Sequence, residues 1–169
     1  MTEAIKILVD EHQNILKVAS ALEKECNAID SGKKIDRDFF RNAIDFIRNY
    51  ADKFHHAKEE DILFKELCKP EVNMHCNPVD QMLYEHDQGR IFVMGMVGGL
   101  EKDDRRELTK NARGYSNLIR EHIFKEDNIL YPMAEESLGS KMAEILKKFK
   151  KIGSDRRKEV ENILNLLMV

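Results

Sequence analysis

Residues 55–64, His55-His-Ala-Lys-Glu59-Glu-Asp-Ile-Leu-Phe64, return later in the chain as residues 122–131, His122-Ile-Phe-Lys-Glu126-Asp-Asn-Ile-Leu-Tyr131. Five of the ten positions are identical, and Glu/Asp, Asp/Asn and Phe/Tyr are close exchanges. Each copy sets a histidine and a glutamate four residues apart, a spacing that puts both side chains on one face of a helix. A shorter echo, Glu11-His12 and Glu85-His86, precedes each copy. The chain therefore reads as two helical hairpins of one pattern, each carrying His…HxxxE.

Working outward, helix one spans about Thr2 to Ile29, with the apolar stripe Ile5, Leu8, Ile15, Ala19 and Leu22, and ends at Asp30-Ser31-Gly32. Helix two runs from about Asp36 to Leu67 and stops before Lys69-Pro70, because proline disfavours helix in the residue before it. Pro78 suits the first turn of helix three, which continues to about Leu100. Gly89, one turn after His86, is read as a point of close helix packing. Helix four runs from about Asp104 to Glu136, with a bend expected at Pro132. Ser140 to Lys151 and Asp155 to Met168 read as two shorter helices split by Gly153. Short connections make antiparallel neighbours. The expected fold is all-α: an up-down-up-down four-helix bundle over residues 1–138 and a helical extension packed on it over residues 139–169.

Composition supports this and removes other classes. Of 169 residues, 42% are hydrophobic and 35% charged, a mix suited to a packed core and not to disorder. Eight glycines and three prolines are too few for many short strands. A net charge of −3 offers no basic field for nucleic acid, and the stretch Lys141–Lys158 reads as a solvated helix face. The longest apolar run, Ile91 to Leu100, is too short to cross a bilayer. Cys26, Cys68 and Cys76 form no CxxC, and the N-terminus lacks a long apolar stretch, so a cytoplasmic protein is expected. Cys68 and Cys76 flank one loop, where His75 is read as solvent-facing.

Heights along the helices bring the repeat to a point. At ~1.5 Å per residue, His12, His55, His86 and His122 all fall roughly 22–28 Å from the same end of the bundle. Four imidazoles and the carboxylates of Glu59 and Glu126 then share one level of the core. Burying two carboxylates without a cation would cost several kcal/mol each, so a metal site is the economical reading. Imidazole and carboxylate suit iron, manganese or zinc, and six donors, two of them able to bridge, overfill a single ion. His56 and Glu60, turned ~100° from this pair, read as flanking groups or surface. Tyr50 and Tyr115 read as core aromatics within reach of the site, and Glu60 and Asp127 as candidates to assist proton transfer.

The pattern H…HxxxE…H…HxxxE, with the strings HHAKEEDILF, EHDQGR and EHIFKEDNILYP, resembles the bacterial and archaeal members of the hemerythrin-like, or HHE cation-binding, domain. The resemblance covers about residues 1 to 138. It implies two iron ions with an oxo or hydroxo bridge, held by His12, His55, Glu59, His86, His122 and Glu126, with manganese or zinc able to substitute. The invertebrate oxygen carriers of the family place HxxxH on helix three and HxxxxD on helix four. Here Arg90 follows His86, and helix four carries HxxxE, which leaves about two coordination positions open and favours reactivity over storage of O2. The expected function is binding of, or reaction with, O2, peroxide or NO. An iron-handling or iron–sulfur repair protein, and a metal or gas sensor acting on a partner through residues 140 onward, stand as rivals. No nucleic-acid or membrane partner is expected, and the C-terminal helices offer a homodimer surface.

Overall fold

The computed structural model describes residues 1–72, 78–152, 162–165 and 167. Among the described residues every regular element is helical and there is no strand. His75, Cys76, Gly153 and most of the expected helix from Asp155 lie outside them.

Helix α1 (Glu3–Asp30) starts at Thr2, whose hydroxyl accepts the Ile5 amide at 3.5 Å, and ends at Gly32, which supplies a φ of 103°. Helix α2 (residues 37–67) is capped by Asp36, which accepts from the Phe39 amide at 3.0 Å. Helix α3 (Val79–Glu101) follows Pro78. Helix α4 (residues 105–138) is capped by Asp104, which accepts from the amides of Arg106 and Glu107. Pro132 does not end it: the proline follows a wide turn at Glu126–Leu130, a seam where hydrogen bonding is already out of step. Helix α5 (Met142–Phe149) follows a 3-10 turn at Gly139–Lys141.

Contacts run in opposite directions along neighbouring helices. Between α1 and α4, Cys26 meets Thr109, Ser116 meets Ala19, and His12 meets Asp127. Between α1 and α2, Asn14 meets Tyr50 and Glu11 meets Lys58. Between α3 and α4 the backbones come close at Gly99, where an added Cβ would stand 2.5 Å from the Leu108 backbone nitrogen. Gly89 is not such a point: a Cβ there would meet Tyr115 at 3.8 Å and Leu118 at 3.9 Å, ordinary contacts.

The apolar core falls into two clusters with a polar layer between them. One gathers Ile15, Leu22, Phe40, Ala51, Met96 and Ile119; the other gathers Leu8, Leu63, Met82, Leu130, Ile145 and Phe149. Helix α5 closes the second cluster with Met142, Ile145 and Phe149, and Lys148 donates to Glu66 at 3.0 Å. Among the described residues, no helix is long and apolar enough to cross a membrane.

Candidate metal centre

Both copies of the repeat depart from α-helical winding at the same place. Glu59–Leu63 and Glu126–Leu130 form wide turns with i→i+5 hydrogen bonds, and a longer wide stretch covers Ile47–His56. Such turns inside α-helices recur at functional sites. Here each begins at the glutamate of HxxxE.

The six residues singled out from the sequence meet in the polar layer, all buried. Nε2 of His12 and Nε2 of His55 lie 3.0 Å apart, as do those of His86 and His122. The two glutamates stand between these pairs. Glu126 places Oε2 3.2 Å from His12 Nε2 and Oε1 3.2 Å from His122 Nε2. Glu59 places Oε2 3.6 Å from Nε2 of both His55 and His86. Its Oε1 accepts from the Tyr131 hydroxyl at 2.6 Å.

The outward nitrogens follow the repeat as strictly. Nδ1 of His55 contacts Glu11 at 2.9 Å and Nδ1 of His122 contacts Glu85 at 2.8 Å. Lys58 donates to Glu11 at 2.8 Å, and Lys125 pairs with Glu85. Nδ1 of His12 contacts Asp127 at 2.8 Å and Nδ1 of His86 contacts Glu60 at 2.7 Å. A carboxylate behind Nδ1 keeps the hydrogen there and turns the Nε2 lone pair inward. The lysines therefore neutralise this outer layer, and among the described residues none pairs with Glu59 or Glu126.

Charge in the metal-free protein is arranged around Glu126. Burial opposes its ionisation, but His122 and His12 hold its carboxyl well below the usual range. Burial likewise opposes charge on His122, yet Glu126 and Glu85 push it up to about 9. His12 is raised against burial by Asp127 and Glu126. Burial and the nearby His12 drive His55 well below its ordinary value. Glu59, buried beside Glu126, is raised far above the carboxylate range. In the His12–His55 pair one imidazole is thus raised and the other lowered, so a single proton sits where a cation fits.

The donor set suits metal ions. Two nitrogens ~2.1 Å from one ion at right angles lie ~3.0 Å apart, the separation within each pair. Both oxygens of Glu126 and Oε2 of Glu59 are fully buried, with no hydrogen-bond partner among the described residues. Ligand atoms of His12, His55, Glu59 and Glu126 form one group within 4.8 Å, and those of His56, His86 and His122 another. The family model for the hemerythrin HHE cation-binding domain matches residues 3–134. The chain belongs to that family. Neither the comparison with curated proteins nor that with solved structures gave a match.

Membership makes this hemerythrin domain a metal-binding one, and the histidine–glutamate clusters are where ions can sit. Glu11, Glu85 and Tyr131 were missed as parts of the site by sequence reasoning. The glutamates were visible in the echo Glu11-His12 and Glu85-His86, read only as a repeat. Tyr131 was hidden by helical arithmetic: five residues at 100° would turn it about 140° away from Glu126, and the wide turn removes much of that offset. Glu60 and Asp127 hold histidines. Tyr50 bonds with Asn14 at 3.1 Å, whereas the buried Tyr115 hydroxyl has no hydrogen-bond partner. A cavity of about 210 Å³ lies beside one half of the hemerythrin site, lined by His56, His86, His122, Tyr115 and Arg90 among others.

Proposed function

We propose that this chain is a non-haem di-iron protein on an up-down-up-down four-helix bundle. In this reading His12, His55, Glu59, His86, His122 and Glu126 hold the ions, and the centre binds or reacts with O2, peroxide or NO. The observation that carries it is Glu126, whose two oxygens each stand 3.2 Å from Nε2 of a histidine in a different pair. A carboxylate so placed can bridge two ions, each already faced by two imidazoles.

Two irons would supply electrons and exchangeable positions for a small oxidant or gas. The chain does the rest. Asp127, Glu11, Glu60 and Glu85 orient the imidazoles. Tyr131 donates to Glu59 and places a phenolic proton in the layer. The apolar clusters above and below exclude water, and the cavity beside His86 and His122 is the way in for a small molecule. Complete burial of Glu59 and Glu126 favours this reading over an iron-donating role, which needs a path for the ion itself. Manganese or zinc fits the same donors. The absence of paired cysteine motifs supports a cytoplasmic setting.

Anaerobic reconstitution with Fe(II), elemental analysis, and absorption on mixing with O2, peroxide or NO test the reading. Two irons per chain and a spectral change with at least one of these molecules are expected. A plateau at one iron per chain, with Glu59 and Glu126 uncoordinated, would overturn it.

A further inference from the structure

His56 breaks the symmetry of the repeat, since Ile123 holds the matching place in the second copy. It is nevertheless built like the four histidines around it. Its Nδ1 faces Asp52 at 3.4 Å, so its Nε2 is turned inward. The ring is buried and stacks on His86, with centroids 3.7 Å apart and planes 10° from parallel. Unlike the other four, its Nε2 has no hydrogen-bond partner among the described residues. Leaving such a group buried and unsatisfied costs about 1–3 kcal/mol.

Arg90 ties this histidine to the site. Its Nη2 lies 2.7 Å from Asp52 Oδ1 and 2.7 Å from Glu60 Oε1, and Glu60 in turn holds His86. One guanidinium therefore fixes the carboxylates behind both His56 and His86. Arg90 stands one turn after His86, so the helix-three position that could have offered an imidazole instead secures one offered by α2.

We infer that His56 supplies a third imidazole to the ion faced by His86 and His122. The inference rests on the two-metal reading above. The two positions are then unequal: three imidazoles at one, His12 and His55 at the other, with Glu59 and Glu126 between them. One ring nitrogen from each of His56, His86 and His122 already falls within a group no more than 4.8 Å across. Nitrogens ~2.1 Å from a shared ion lie within ~4.2 Å of one another, and any adjustment this asks for falls to the His56 ring. The adjoining cavity gives it room. The competing explanation is a water shared by His56 and the unpartnered Tyr115 hydroxyl, which line that same cavity.

The test is titration of the metal-free full chain with Co(II), followed by calorimetry and visible absorption. Wild type should bind two ions. In His56→Ala one of the two should weaken by about 100-fold or more, because loss of even an outer partner of a metal ligand costs about 10–100-fold. His56→Cys should add a thiolate-to-cobalt charge-transfer band absent from wild type, a signature that a packing or water-holding role cannot produce. Should His56→Ala fail to fold by circular dichroism, the band in His56→Cys decides. Two ions at wild-type affinity in His56→Ala, with no new band in His56→Cys, would overturn the inference and leave the two-metal reading standing. Fewer than two ions in wild type would overturn both.

Discussion

Tyr131 and Phe64 occupy the same place in the repeat, and one hydroxyl separates them. Each ring stacks on the histidine of the opposite hairpin: Tyr131 on His12 at 5.6 Å and Phe64 on His86 at 6.0 Å. Only Tyr131 can donate, and its proton goes to Glu59. Tyr131→Phe therefore keeps the packing and leaves a buried carboxylate oxygen without its donor. The expected cost to the metal-free protein is about 1–3 kcal/mol, read as a lower urea midpoint with an unchanged slope. The same exchange tests whether the hydroxyl matters to the centre, since Phe64 holds the matching place in the other half without one.

At the scale of the element, helices α3 and α4 show where a glycine is required. At Gly99 a methyl group would press on the Leu108 backbone, which cannot move aside like a flexible side chain. Gly99→Ala should destabilise by about 1–3 kcal/mol, the range for overpacking a tight contact. Gly89→Ala should instead stabilise by up to about 1 kcal/mol, because alanine favours helix and meets ordinary contacts with Tyr115 and Leu118. Thermal melts of the two variants should move in opposite directions, and a shift of the same sign in both would show that α3 does not approach α4 as described. The wide turns belong to this scale too. No residue in 59–63 or 126–130 announces an i→i+5 bond, and the apolar spacing there is compatible with ordinary winding. What identifies them is their position at both glutamates of the repeat.

For the whole molecule, the metal-free site makes stability depend on pH in a definable way. His56, held down to about 3 by burial and the neighbouring His86, refuses a proton that the unfolded chain accepts below its ordinary value of 6.5. Stability therefore falls as pH drops through that interval. Burial works against ionised Glu60 and Glu85, but their histidine partners, with Arg90 and Lys125, hold both near 2. Their stabilisation is full above the ordinary carboxylate value of 4.5 and disappears towards pH 2. His122, raised to about 9, contributes fully below 6.5 and loses that contribution as pH rises through 9. Glu59, raised by burial and by Glu126, keeps a proton that the unfolded chain gives up above 4.5, so it too weakens the fold as pH rises. Metal-free protein should therefore be most stable between about pH 4.5 and 6.5, as measured by melting temperature across pH 4 to 10. Adding Fe(II) anaerobically, or Zn(II), should raise the curve by about 2.7 kcal/mol at a free concentration of 100 times Kd. It should also remove the alkaline decline, because an ion takes the place of the His122 proton. An unchanged curve with metal present would contradict the assignment of the site.

Read alone, the chain already shows that it is helical, roughly where its first four helices start and stop, and that four histidines and two glutamates share one level. Spacing and repeat carry that information directly, because i and i+4 share a face and rise per residue converts count into height. It also determined the outer layer without revealing its purpose: Glu11, Glu85, Glu60 and Asp127 are all in the repeat, but a carboxylate behind Nδ1 is a contact between helices. Tertiary structure alone decided which oxygen meets which imidazole, and so the place of Glu126 between His12 and His122. It decided that Tyr131 turns to Glu59, since a wide turn shifts the phase that helical arithmetic assumes. It also decided that His56 is buried against His86 and not left at the surface, because Arg90 and Asp52 come from helices distant in the chain and only packing brings them together.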